Sequence, residues 1–167
     1  MSNELKYLWA PWRMGYIRTS KNEFGPCLFC DKSNIGKDEE NLVVHRGELS
    51  YVLMNLYPYN NGHLMIAPYD HERNFDDLQS DTQVEMMNLM SLSMEVLRGS
   101  LSADGFNFGL NVGKCSGAGI DNHIHFHIVP RWNGDNNFMP VIGNTKVIVQ
   151  GLFDTYDVLY PSFKKIS

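Results

Sequence analysis

The sequence predicts an α+β protein: an antiparallel sheet of about five strands with one main helix on a face. Three observations carry this. Short apolar stretches bounded by turn formers fall on both sides of one long segment with helical spacing. No repeat, low-complexity stretch or linker divides the chain. And 167 residues bury roughly 70% of their unfolded surface, enough for one self-sufficient core.

Taken in order, residues 1–26 are rich in Trp, Pro and Arg without a clean period and are expected as an extended arm, lying on the body or on a partner subunit. "CLFC" (27–30) follows, then a polar stretch, 31–40, expected as an exposed loop. "LVVHR" (42–46) and "LSYVLMN" (49–55) flank Gly47-Glu48 as a hairpin. After the turn-forming "YPYNNG" (57–62), "HLMIAP" (63–68) is the third strand, stopped by Pro68.

The helix is expected over 80–101. Ser80 and Gln83 match a capping box, with Asp81 in the first turn where the helix dipole favours it. Met86, Leu89, Met90, Leu97 and Leu101 share its apolar face, methionine serving as core filler. "FNFGLNV" (106–112) alternates as a strand, "KCSGAG" (114–119) is a small-residue loop, and "HIHFHIV" (123–129) closes the sheet before Pro130. The tail after 131 looks irregular, with a short apolar run at 147–153. Domain organisation is therefore one unit over 1–167, with the arm (1–26) and a C-terminal extension (133–167).

A net charge of −5 argues against a binder of polymeric nucleic acid or of membranes, which usually shows a basic face. It leaves room for a small anionic ligand held by a few local donors. No run of about 18 apolar residues is present, and the start has no basic region followed by an apolar stretch. Three cysteines in a chain without a secretory signal fit a reducing compartment, so a cytoplasmic protein is expected.

Half of the six histidines occupy alternate positions of one strand: His123, His125 and His127. Residues at i, i+2 and i+4 share a face, so Ile124, Phe126 and Ile128 turn to the core. A polar outer face and a metal site are the competing readings of the trio. All three rings are too widely spread for one metal ion, at about 6.7 Å between neighbours, although two of them could serve as ligands. Catalysis by the central imidazole, oriented by a neighbour on each side, accounts best for the pattern. Cys27-x-x-Cys30 is half of a zinc site by spacing; two buried small side chains or a redox pair are the alternatives, and no thioredoxin-like pattern follows it.

His-x-His-x-His followed by two apolar residues resembles the signature of the histidine triad nucleotide-binding superfamily. "NNGHLMIAPYDH" (60–71) resembles that family's Gly-His-apolar strand, and "GLNVG" (109–113) the strand carrying a substrate-facing Asn. "LWAPWRMGYI" (8–17), "NLYPYN" (55–60), "HIVPRW" (127–132), "GDNNF" (134–138) and "IGNTKVI" (142–148) resemble the bacterial diadenosine tetraphosphate phosphorylase branch.

The resemblance implies a histidine-triad fold whose sheets join edge to edge in a homodimer, or a dimer of dimers. It implies attack by His125 on the α-phosphate of an adenine (purine) nucleotide or dinucleoside polyphosphate, giving a nucleotidyl-histidine. Water then gives hydrolysis, and inorganic phosphate gives phosphorolysis. His127 would contact phosphate oxygens, with His63 and His123 in support. Asn55 would meet the ribose; Asn111, Gly113, Ser116, Gly117 and Gly119 would line the nucleotide site. Many hydrolases of the family have Gln four residues before the first triad histidine, where this chain has Gly119, a departure that leans toward phosphate as acceptor. Asymmetric hydrolysis, nucleoside phosphoramidase activity and simple nucleotide binding are the alternatives. Cys27, Cys30, His71 and His123 match the set that binds a structural zinc in several bacterial relatives; the phosphoryl chemistry requires no cofactor. Cys115 is expected as a bystander with a reactive thiol.

Overall fold

The computed structural model describes residues 27–135, 148 and 150–166. The expected arm, 1–26, and residues 136–147, 149 and 167 of the expected extension lie outside them. In chain order the elements are α1 (Leu28–Lys32), α2 (Asp38–Asn41), β1 (Val43–Arg46), β2 (Ser50–Met54), β3 (Leu64–Pro68), a 3-10 turn (Phe75–Asp77), α3 (Ser80–Leu101), β4 (Gly105–Leu110), a second 3-10 turn (Lys114–Ser116), β5 (Phe126–Arg131) and α4 (Leu152–Ile166).

The five strands form one antiparallel sheet in the order β1-β2-β3-β5-β4. The insertion of β5 between β3 and β4 brings the histidine segment beside the strand that follows His63, with Met65 opposite His127. Alternation then sorts the side chains. Val52, Met54, Leu64, Ile66, Phe126 and Ile128 join the buried residues of α3 and α4 in the main core, while Tyr51, Leu53, Met65 and Ala67 face the other way, toward Cys27 and Phe29. Ile124, Phe126 and Ile128 are buried in the main core as the alternation predicts.

The hairpin forms where Gly47-Glu48 predicts it, and α3 supports it. The Glu85 carboxylate accepts the backbone N–H groups of Glu48, Leu49 and Ser50 and the Ser50 hydroxyl. Gly62 adopts φ +67°, and a Cβ there would meet Leu101 Cδ1 at 2.6 Å. Only glycine lets the turn before His63 lie this close to α3.

Several local expectations are corrected. The tail is not irregular throughout: α4 lays Tyr156, Leu159 and Phe163 into the core. Its Pro161 obscures the helical period, and its burial is long-range. The capping box does not form. Gln79 is the N-cap without a side-chain bond, and the Gln83 amide instead donates to the carbonyls of Phe75 and Leu78, tying the preceding 3-10 turn to the helix. The stretch 31–40 contains the end of α1 and most of α2, and Arg46 fixes it through Ser33 O, Asn34 O and Asp38.

Pro130 does not end the histidine strand. It is buried within β5, paired with Phe106. Its carbonyl accepts Asn60 Nδ2 on the side where pairing with β3 has already stopped at Leu64–Ile128, so its missing N–H interrupts no ladder bond. The regular ladder begins only at Phe126; His123 to His125 precede it, with Ile124 N–H donating to Glu72 O.

Candidate active site

The central histidine is fixed by its own segment. His125 Nδ1 lies 2.9 Å from the carbonyl oxygen of His123. A carbonyl only accepts, so Nδ1 carries the proton and Nε2 carries the lone pair. Phe29 of α1 packs at a tilt against this ring at 4.5 Å between centroids and against His123 at 5.2 Å. His125 is 6% exposed; burial lowers its pKa, opposed in part by the bond to the His123 carbonyl, and keeps the imidazole neutral.

A second chain of bonds assigns the protons of the other rings. Tyr59 N–H donates to His63 Nδ1 at 3.1 Å, and the Asn55 carboxamide nitrogen stands 3.3 Å from the same atom. His63 Nδ1 is therefore the acceptor, and the proton of its neutral ring sits on Nε2. That nitrogen lies 3.0 Å from His127 Nδ1. His127 Nδ1 then accepts, and its own proton lies on Nε2. Adjacent imidazoles thus have opposite polarity: His125 presents a lone pair and His127 a donor, with ring centroids 4.8 Å apart.

Both rings line a pocket with Asn55, Asn111 and Gly119. Leu28, Phe29 and Lys32 of α1 close it, together with Met54, Leu56, Tyr57, Tyr59, Met65 and Ile120. The Asn55 carboxamide is engaged at both ends, since Tyr57 N–H donates to its oxygen. The remaining expected loop residues stand outside the lining. Gly113 and Gly117 take φ of +75° and +84°, and the Ser116 hydroxyl donates to Gly113 O, so the loop closes on itself between Asn111 and Gly119. His63 and His123 lie behind the pocket wall, each 1% exposed. Leu28, Phe29, Lys32, Tyr59 and Ile120 are not singled out as site residues by the sequence: Leu28, Phe29 and Tyr59 fall inside quoted motifs without a role of their own, and α1, five residues long, is too short to show a period that would mark Lys32.

A different cluster joins the far end of the histidine segment. One potential ligand atom from each of Cys27, Cys30, His71 and His123 lies within 4.8 Å of the others. His123 Nδ1 is 3.3 Å from Cys27 Sγ and 3.7 Å from Cys30 Sγ, and His71 Nδ1 is 3.2 Å from Cys30 Sγ. Tetrahedral zinc with Zn–N near 2.0 Å and Zn–S near 2.3 Å has N···S edges of roughly 3.6 Å, so the donor set fits that ion. His123 Nε2–H donates to Pro68 O at 3.0 Å. This fixes the tautomer that turns a bare Nδ1 toward the thiols, as a metal ligand requires. Cys115 is exposed and lies apart from this set.

An antiparallel sheet whose inserted strand follows a train of proton-ordered imidazoles defines a histidine-triad protein. The chain belongs to the HIT domain family, whose model matches residues 37–134. Within it, the chain is 40% identical over 163 residues to the AP-4-A phosphorylase of Mycobacterium tuberculosis, across 94% of this chain and 84% of that protein. It is also 33% identical to an uncharacterized HIT-like protein of Methanocaldococcus jannaschii, over 65% of this chain and 81% of that one. Among solved structures, a Zn-bound histidine triad family protein from Mycobacterium smegmatis shares the fold with a TM-score of 0.66 at 22% identity, covering 84% of this chain and 95% of that one.

Proposed function

We propose that this HIT-family enzyme cleaves dinucleoside polyphosphates of the diadenosine tetraphosphate type by way of a nucleotidyl-histidine, with inorganic phosphate as the second acceptor. The reading rests above all on the His125 Nδ1–H bond to the His123 carbonyl, which leaves the Nε2 lone pair for attack. In the first step Nε2 bonds to the α-phosphorus, and the bond to the bridging oxygen of the departing ATP breaks. The positive charge that develops on the ring is shared through Nδ1–H with the carbonyl. His127 Nε2–H donates to the phosphoryl or leaving oxygen, while His63, held by Tyr59 N–H, keeps His127 in that tautomer. In the second step a phosphate oxygen displaces His125 and yields ADP; water would yield AMP.

The similarity to the mycobacterial AP-4-A phosphorylase supports the choice of substrate. Gly119 on the pocket wall, where many relatives have Gln, supports phosphate as acceptor. Cys27, Cys30, His71 and His123 would hold zinc in a closed four-ligand site. Such a site has no open position and supplies no chemistry to phosphorus. Among the described residues β4 is an edge strand, and pairing two copies there would cover it. A cytoplasmic location fits the cysteine usage, and no described helix is long and apolar enough to cross a membrane.

Product analysis of diadenosine tetraphosphate with and without phosphate tests the reading. ADP plus ATP formed only with phosphate is the expected result; AMP plus ATP in plain buffer would make the protein a hydrolase.

A further inference from the structure

The nucleotide pocket has one lining side chain with a fixed charge among the described residues, Lys32. It stands at the end of α1, three residues past Phe29, or about 4.5 Å further along a helix axis. Phe29 covers His125, so Lys32 lies beyond the phosphate-reacting centre. Its position is pinned from the other side as well. Lys32 Nζ donates to Asn41 O at 3.3 Å, and Asn41 Nδ2 donates back to Lys32 O. The next residue, Leu42, accepts Met54 N–H through its carbonyl. Met54, Asn55 and Leu56 follow as pocket wall. With Asn55 taken as the ribose contact of the proposed reaction, Lys32 belongs to the nucleoside end.

Beside it Leu28, Met54, Leu56 and Ile120 offer apolar contact to the faces of a planar base, while the polar side chains of the wall, Asn55, Tyr57, Tyr59 and Asn111, carry no fixed charge. A lysine ammonium has three donors, and the long bond to Asn41 O occupies one. Burial lowers the Lys32 pKa, so a ligand acceptor beside it relieves a partly desolvated charge. A guanine presents two adjacent acceptors, O6 and N7, where adenine pairs N7 with an amino donor. An ammonium gains two partners from the first edge and one from the second.

We infer that Lys32 reads the edge of the bound base and equips the pocket for 6-oxopurine nucleotides as well as adenine nucleotides. This rests on the proposed dinucleotide cleavage, with Lys32 as a specificity-determining residue.

The test compares kcat/KM for diguanosine and diadenosine tetraphosphate, with phosphate present, in the full-length protein and in Lys32→Met, which keeps the apolar stem. The wild type is expected to use both substrates within about tenfold of each other, and Lys32→Met to lose about tenfold or more on the guanine substrate and under about threefold on the adenine one. Lys32→Arg keeps most of the guanine activity. Equal losses on the two substrates, or none, would overturn the inference. If the wild type turns over neither substrate, the proposed reaction fails, and calorimetric binding of GMP and AMP to the wild type and to Lys32→Gln decides the base reading alone. Selective loss of GMP affinity supports it, and parallel affinities overturn it.

Discussion

Under α3 and α4 the sheet buries Val52, Met54, Leu64, Ile66, Ile124, Phe126 and Ile128 against Met86, Leu89, Leu97, Tyr156, Leu159 and Phe163. Under α1 it buries only a small apolar set with Cys27, Phe29 and Tyr51, and beside them His63, His123 and His125. The first face gains free energy from area removed from water. The second must bond the polar atoms it hides: Tyr51 OH donates to Phe29 O, and the buried histidines are bonded to carbonyls, thiols or one another, with His125 Nε2 left to the pocket. Net gains from such bonds are modest, but losing one partner is costly. The same strands thus carry stability on one side and fixed proton positions on the other.

Substitutions on the two faces should separate these roles. His125→Ala is expected to abolish turnover, a loss of about 10³-fold or more, with a melting temperature close to the wild type. Wild-type rates in that variant would remove the chemistry from this face. Leu159→Ala, at a fully buried position of α4, should cost about 2–5 kcal/mol in denaturant unfolding and leave kcat intact while the protein is folded. A cost below about 1 kcal/mol would mean that α4 is not part of the core.

The two faces also differed in how far the sequence could be read. Short apolar runs bounded by turn formers made β2 and β3 visible, period-2 alternation the Ile124-Phe126-Ile128 side, and the 3.6-residue spacing of Met86, Leu89 and Leu97 made α3 visible, because each pattern is local. The histidine trio was visible because alternate imidazoles are rare. What covers them was not. Phe29 and Lys32 reach the pocket through one short turn whose position depends on contacts with Tyr51, Asn41 and Arg46, and none of these is near it in period or motif. α4 is hidden for a related reason: Pro161 sits inside it, and its partners are distant in the chain, from Leu97 of α3 to Val43, whose carbonyl accepts Tyr156 OH across 113 residues.

Zinc offers a finer test, because the candidate ligands belong wholly to the α1 side. At zinc one hundred times above its dissociation constant the folded state should gain about 2.7 kcal/mol, read as a rise in melting temperature. One equivalent should bind per chain, and Cys30→Ala or His71→Ala should lower both stoichiometry and shift. An unchanged shift in both variants would place the ion elsewhere. Leu159→Ala, on the opposite face, should bind zinc as the wild type does.

The smallest expected effect is at the rim where the two faces meet the end of β5. Asp135 accepts from Arg131 Nε and NH2, from Asn60 Nδ2 and from Trp132 N–H, and so clamps the turn before His63 to the strand carrying His127. The Arg131 guanidinium, followed by the other donors, lowers the Asp135 carboxyl to about 2. The unfolded value is near ~3.9, so the folded pKa lies below it. The contribution is therefore present in full above about pH 4 and is lost as the pH falls through about 2. Asp135→Asn should lower stability at neutral pH by about 1 kcal/mol, because Arg131 is 39% exposed and water screens the pair although the Asp135 side chain is largely covered. Melting curves of the two proteins should converge as the solution is acidified below about pH 4, whereas Leu159→Ala should stay below the wild type by a constant margin over the same range. Curves for Asp135→Asn that run parallel to the wild type through that window would show that the clamp holds by shape rather than by charge.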